Sequence, residues 1–224
     1  MLSATYTRTQ PILPVDDLSL LVNRKMDSSP DLADTGFKTL LENLDNFSPL
    51  VQSLLELVSL TYDIRGQRDV LTSHDQLFSF TARRSWVEWS LATSETSGIE
   101  NCVRLGALIY VNIVLRKMPC ASAVLRHLTD ELKNELDDTT FAIDWEGKRL
   151  VLLWVLFHGG AAATEEETKK WYLVHLIREC RELGLQTWSK VLDFLDSFLW
   201  ARCDLVNRCK PLWCEITVGL SNFE

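Results

Sequence analysis

The sequence predicts an all-α protein, an irregular helical bundle of roughly seven to nine helices. Three observations predict it. Capping residues recur ahead of apolar segments, as at Ser48-Pro49, Ser122 and Thr187. Apolar residues then return at spacings of three and four, most cleanly in Leu125, Leu128, Leu132 and Leu136. The one run that could be a buried strand, Leu150 to Phe157, has no convincing second strand to pair with. A lone buried strand would leave its own N–H and C=O groups unpaired. At 224 residues the chain is long enough to bury a sizeable core, and 46% apolar against 24% charged residues is a globular balance.

Residues 1–34 carry Pro11, Pro14, Pro30 and a Ser28-Ser29 pair, and read as an irregular, partly disordered lead-in with room for one short helical turn at 17–23. The helical domain is assigned to 35–224. Asp34-Thr35 caps a helix whose stripe is Phe37, Leu40, Leu41 and Leu44. Ser48-Pro49 opens the next, with proline at the first helical position, where its missing N–H costs nothing. Val51, Leu54, Leu55 and Val58 form its stripe and Gly66 ends it. From Arg68 to Thr93, the positions Leu77, Phe78, Phe80, Trp86, Val87 and Trp89 suggest one long or two broken helices.

Ile99–Lys117 is apolar on most sides, with a narrow polar line of Asn101, Arg104, Asn112 and Arg116 that places it near the middle of the bundle. Arg116 and Lys117 complement its C-terminal dipole and Pro119 stops it. Ser122 caps the following helix, which ends at Asp137-Asp138. Asp144, with Glu146 in the first turn, is assigned as the cap of the helix carrying Leu150–Phe157. Gly159–Ala163 then supplies small side chains suited to close helix approach. A phosphate loop would need its glycines ahead of a helix N-terminus and a lysine in place. Thr164-x-x-Glu167 reads as a capping box. Its helix buries Leu173, Leu176, Ile177, Cys180 and Leu183 and stops at Gly184. Thr187 caps the next, with Trp188, Val191, Leu192, Leu195, Phe198 and Leu199 on one face. Ser189, Lys190, Asp193 and Asp196 lie opposite. The last segment, 204–216, is expected to break at Pro211.

Charge and cysteine spacing exclude several functions. Net charge is −8, with 9 Lys/Arg against 14 Asp/Glu over 1–112 and 14 against 17 over 113–224. Neither half offers the basic face that direct DNA contact needs. The six cysteines, at 102, 120, 180, 203, 209 and 214, form no C-x-x-C pair and read as structural thiols. The N-terminus lacks the apolar block of a signal peptide, and the uncharged runs Leu105–Leu115 and Leu150–Ala163 fall short of the roughly 20 residues of a membrane span. An intracellular chain with no membrane partner is expected. His74-Asp75 could belong to a metal site, but no histidine precedes it. His127, His158 and His175 are isolated in sequence, and no nucleophile motif is present. No catalytic residue, no metal ligand and no cofactor is assigned.

From Asn101 onward the chain resembles a known family. Cys102-Val-Arg-Leu-Gly-Ala-Leu-Ile-Tyr110, with Val114-Leu-Arg116 and Pro119, is similar to the "C-R-x-A-x-x-I-Y … L-R-x-x-P" stretch of fungal-specific transcription factor domains. Gly106 stands where alanine is usual. Leu150–Ala163, Trp171-Tyr172, Trp188, Phe198-Leu-Trp200, and Leu212-Trp213 with Glu215 resemble its C-terminal pattern. Lys170 replaces the usual arginine. The resemblance implies an all-helical regulatory domain, nuclear by the same resemblance, of the kind that follows a DNA-binding zinc cluster. This sequence lacks the cluster, so the chain is expected to be a truncated or split regulator or a stand-alone domain.

Three functions compete. The first is a protein-interaction module of transcription control, not contacting DNA itself and partnered by itself or by zinc-cluster regulators. Trp200 and Trp213, at segment ends where an indole can stay partly exposed, are its candidate interaction residues. The competing reading of both is that they close the bundle. The second is a small-molecule sensor of unknown effector, with a candidate pocket around Trp154, Phe157 and Trp188. The third is a helical enzyme, against which the lack of paired ionisable groups stands.

Overall fold

The computed structural model describes residues 35–41, 48–66, 74–138 and 145–221. The expected lead-in 1–34 lies outside them, as do Leu44 and the assigned caps Asp34 and Asp144. Every element among the described residues is helical, and none is a strand. The fold is all-α; the described residues hold eight α-helices of nine residues or more, one four-residue helix and one π-helical turn. By internal packing the chain divides into two compact units, Met1–Glu95 and Thr96–Glu224.

The first unit holds α1 (Lys38–Leu41), α2 (Pro49–Gly66) and α3 (His74–Thr93). Ser48 caps α2 by accepting from Val51 N at 3.2 Å, and Pro49 takes the first helical position. The core side of α2 is broader than the expected stripe: Leu50, Leu57 and Leu60 are buried with Val51, Leu54 and Val58. A guanidinium then locks α2 to α3. Arg83 donates to Glu56, to Asp63 at 2.7 Å and to Ser59 Oγ at 2.7 Å. Burial raises the Glu56 carboxyl above its ordinary range, with Arg83 pulling the other way. Ser53 and Ser90 share a buried hydrogen bond of 2.9 Å. Of the apolar positions that suggested helix α3, Leu77 and Phe78 are exposed at its start and Val87 is buried. His74 and Asp75 beside them face solvent.

The second unit holds α4 (Gly98–Tyr110), a π-helical turn (Val111–Leu115), α5 (Ala123–Asp138), α6 (Arg149–Ala162), α7 (Glu166–Glu182), α8 (Trp188–Asp196) and α9 (Arg202–Ser221). Helix α6 packs against α4, α5, α7 and α9, and every residue from Val151 to Ala162 is buried. Its all-apolar sequence follows from having neighbours on every side. The segment Gly98–Leu115 is long and apolar enough to cross a membrane, but 78% of it is buried inside the protein, as a core helix is. Ser122 caps α5 through Leu125 N, and Leu125, Leu128, Leu132 and Leu136 are all buried. Each such leucine contributes about 1.5–3 kcal/mol.

Four expectations are corrected. Asn112, in the π turn that ends α4, is buried instead of lying on the polar line, its Nδ2 donating to Leu108 O at 2.8 Å. Helix α6 starts at Arg149 after a Trp145–Gly147 turn in which Gly147 has φ 73°, so Glu146 stands outside its first turn. The Thr164 capping box does not form: Glu165 is the N-cap, with no side-chain cap bond, and its carboxylate pairs with Arg126 at 3.1 Å. Pro211 does not break the last segment. Helix α9 runs through it, with Pro211 and Asn207 both exposed, so water can reach the carbonyl that proline leaves without an N–H.

Helix α8 shows the cost of burial most directly. Thr187 caps it through Lys190 N, Val191 and Leu195 are fully buried, and Asp193 is exposed. Leu195→Asp should therefore cost more than the ~2–5 kcal/mol of a Leu→Ala truncation, because it also buries a carboxyl. Asp193→Ala should stay within about 0.5 kcal/mol of the parent. Urea denaturation of the two variants checks this, and equal midpoints would put the wrong face inside.

Candidate functional site

The aromatic centre of the second unit is built on α6. The Trp154 indole donates to Leu199 O at 3.1 Å and Phe198 stacks on its ring at 6.3 Å, which fixes the α8–α9 connection onto α6. One turn on, His158 is 1% exposed and its Nδ1 lies 2.8 Å from Trp154 O. A carbonyl can only accept, so Nδ1 carries the proton and Nε2 presents a lone pair. Tyr110, Trp154 and Trp200 surround the ring at centroid distances of 5.7, 4.5 and 6.3 Å. Burial lowers the His158 pKa from 6.5 to about 4, against the opposing effect of its hydrogen bond to Trp154.

Glycines set how close the helices come. A Cβ on Gly159 would sit 2.4 Å from the Tyr172 ring, and one on Gly160 would sit 3.1 Å from Leu212. Tyr172 is fully buried and donates to Thr129 O at 2.9 Å, so α7 meets both α5 and α6 through one side chain. Burial raises its pKa well above 10. A Cβ on Gly106 would lie 3.0 Å from Trp154 Cζ3, which explains glycine where the resembling pattern has alanine. The packing role expected for Gly159–Ala163 is what the geometry shows.

The candidate residues fall into this core. Trp154 and Phe157 are fully buried in α6, and Trp188 is half-buried at the start of α8. Trp188 lies against Trp213 with ring centroids 6.1 Å apart, which joins the starts of α8 and the middle of α9. Of the two readings of Trp200 and Trp213, the structure agrees with the one in which both close the bundle: they are 0% and 6% exposed, not partly exposed. Their segment ends turn inward, Trp200 onto His158 and Trp213 onto Trp188.

Several contributors were missed by sequence reasoning. Glu179, which no motif singled out, is 1% exposed, with Arg149 at 3.2 Å and Arg178 at 3.2 Å. Arg208 of α9 donates to Met118 O at 2.8 Å and to Cys120 Sγ, tying α9 to the loop after the π turn. No spacing rule predicts contacts 90 residues apart. Burial raises the thiols of Cys102, Cys180 and Cys209, in keeping with small apolar side chains. Among the described residues no three His, Cys, Asp or Glu side chains gather as a metal site would require.

A solid helical core centred on one buried helix defines a structural class, the all-helical domain. The family is narrower: residues 16–221 match the model of the fungal specific transcription factor domain, and the chain belongs to that family. Membership makes it a domain of transcription regulation. No curated protein and no solved structure gave a significant match.

Two predictions follow from the core. Gly159→Ala should destabilise by at least the roughly 1–3 kcal/mol of an overpacked core, because a full ring must move; Gly184→Ala, open but at φ 65°, should cost less. Thermal denaturation compares them. His158 stays neutral in the fold while the unfolded chain takes up a proton near 6.5, so its contribution is complete above pH 6.5 and is lost as pH falls toward 4. The loss over that window is roughly 3 kcal/mol by linkage. His175, also lowered to about 4 by burial and then by Arg178, adds in the same direction. Urea midpoints at pH 7 and pH 4.5 should differ in the parent, and His158→Gln should narrow the difference.

Proposed function

We propose that the chain is a nuclear regulatory module that modulates transcription through other proteins and does not contact DNA itself. The family match over 16–221, joined to a sequence without a C-x-x-C pair and with net charge −8, supports this reading. A zinc-cluster reader needs closely spaced cysteines, and phosphate contact needs a basic face. The partners are a second copy of the chain or zinc-cluster regulators of the same family, engaged through the C-terminal segments. Trp200 and Trp213 serve those segments from within, by fixing α9 and the turn before it.

A tethering assay tests the reading. Fused to a foreign DNA-binding domain, the full chain should change reporter output, while the unfused chain should leave a DNA probe unshifted at physiological salt. Trp213→Ala removes a buried indole and should cost about 3–5 kcal/mol, so any loss of reporter effect must be judged against protein abundance. An inactive fusion at normal abundance, or a shifted probe, would refute the proposal.

One observation favours a small-molecule sensor as the second reading. His158 Nε2 presents an acceptor inside an aromatic surround. An effector with a hydrogen-bond donor on an apolar body would suit it, and would have to displace the packing of Trp154 and Phe157.

A further inference from the structure

The link between α6 and α7 holds a motif that neither the core nor the family reading uses. Thr164-Glu-Glu-Glu167 has the spacing of a capping box, yet its threonine does not cap α7. Ala163 has φ −66° and ψ 128°, and Glu165 has φ −74° and ψ 132°, so the backbone is extended on both sides of Thr164. Thr164 is exposed, and its hydroxyl makes no hydrogen bond among the described residues. A threonine that neither caps nor packs is open to chemistry from outside. The three residues after it are exposed glutamates. Glu165 pairs with Arg126 at 3.1 Å and Glu166 with Lys170 at 3.3 Å, both pairs solvated and easily exchanged. Glu167, three residues beyond the hydroxyl, joins no ion pair among the described residues.

Two other exposed hydroxyls among the described residues have an acid three positions on, Ser97 before Glu100 and Ser221 before Glu224. Neither has an acid at the two positions between. Ser221 Oγ is already bonded to Thr217 O at 2.9 Å. Ser97 adjoins Gly98 N, which donates to Glu135 Oε1 at 2.9 Å, so a carboxylate stands where a new anion would go. Thr164 alone of the three has a free hydroxyl and an unbroken run of acids.

We propose that Thr164 is a phosphorylation site, the acceptor for a protein kinase that selects acidic residues after the hydroxyl. A basic kinase groove meets Glu165, Glu166 and Glu167 with opposite charge, and a kinase that reads basic residues is repelled by them. Glu166 and Glu167 lie in the first turn of α7, which no side-chain cap holds, so that turn can open into the groove. Thr164 Oγ1 attacks the γ-phosphorus of ATP, and the bond from that phosphorus to the bridging oxygen breaks. ADP leaves, and the hydroxyl proton passes to the catalytic carboxylate of the kinase. The phosphate then stands ahead of a 17-residue helix whose dipole favours it, against repulsion from the three glutamates. These effects oppose one another at an exposed position, so the mark leaves the fold intact.

The full chain, incubated with ATP and an acid-directed serine/threonine kinase, tests the proposal by mass spectrometry. The parent should gain one phosphate, on Thr164. Thr164→Val should gain none, Thr164→Ser should restore it, and Ser97→Ala should behave as the parent. Glu167→Gln should slow incorporation about tenfold or more, because the lost charge is the one the kinase reads. A kinase that selects basic residues should leave the chain unmodified. All four positions are exposed, so the variants should keep the parent thermal midpoint. Phosphate retained in Thr164→Val, or a folded parent left unmodified by a kinase that modifies a peptide of residues 161–170, would overturn the site. The reporter assay plays no part in this readout, so the regulatory reading stands or fails separately.

Discussion

The close approach of α6, α7 and α9 at Gly159 and Gly160 is the constraint on which the second unit depends. Tyr172 occupies the space that a side chain at Gly159 would fill, and Leu212 and Leu176 do the same at Gly160. Because two successive positions carry no side chain, α6 can be covered by α7 on one flank and α9 on another. The Tyr172 hydroxyl then reaches Thr129 O, which brings α5 into the same junction. Dispersion and apolar burial act at short range, so a helix held one methyl group farther out would lose much of both.

The polar atoms in this core follow from that density. Trp154 and His158 satisfy their donors on nearby backbone carbonyls, at Leu199 and Trp154. The Trp154 bond pins the connection between α8 and α9 onto α6. Glu179 is taken in only because Arg149 and Arg178 accompany it.

The indoles of Trp200 and Trp213, which their segment-end positions offered to partners, are used in packing against His158 and Trp188. A regulatory role therefore has its support in the family match over residues 16–221 and not in exposed tryptophan anchors of the kind that dominate binding energy at interfaces.

The sequence by itself determined the fold class, the succession of helices and several of their caps. Ser48, Ser122, Thr187 and Gly184 act where they were read because capping involves atoms only a few residues apart. The leucine stripe of α5 and the glycine role at 159–160 were legible for the same reason, as was the family. Tertiary structure alone decided the rest. It buried Asn112 through a π turn, moved the start of α6 past Glu146, and carried α9 through Pro211. It also turned Trp200 and Trp213 inward and left Val174 and Val218 outside. Local sequence sets which face of a helix is apolar, but the side chain that reaches water depends on which neighbour lies over it, and that neighbour comes from residues tens of positions away.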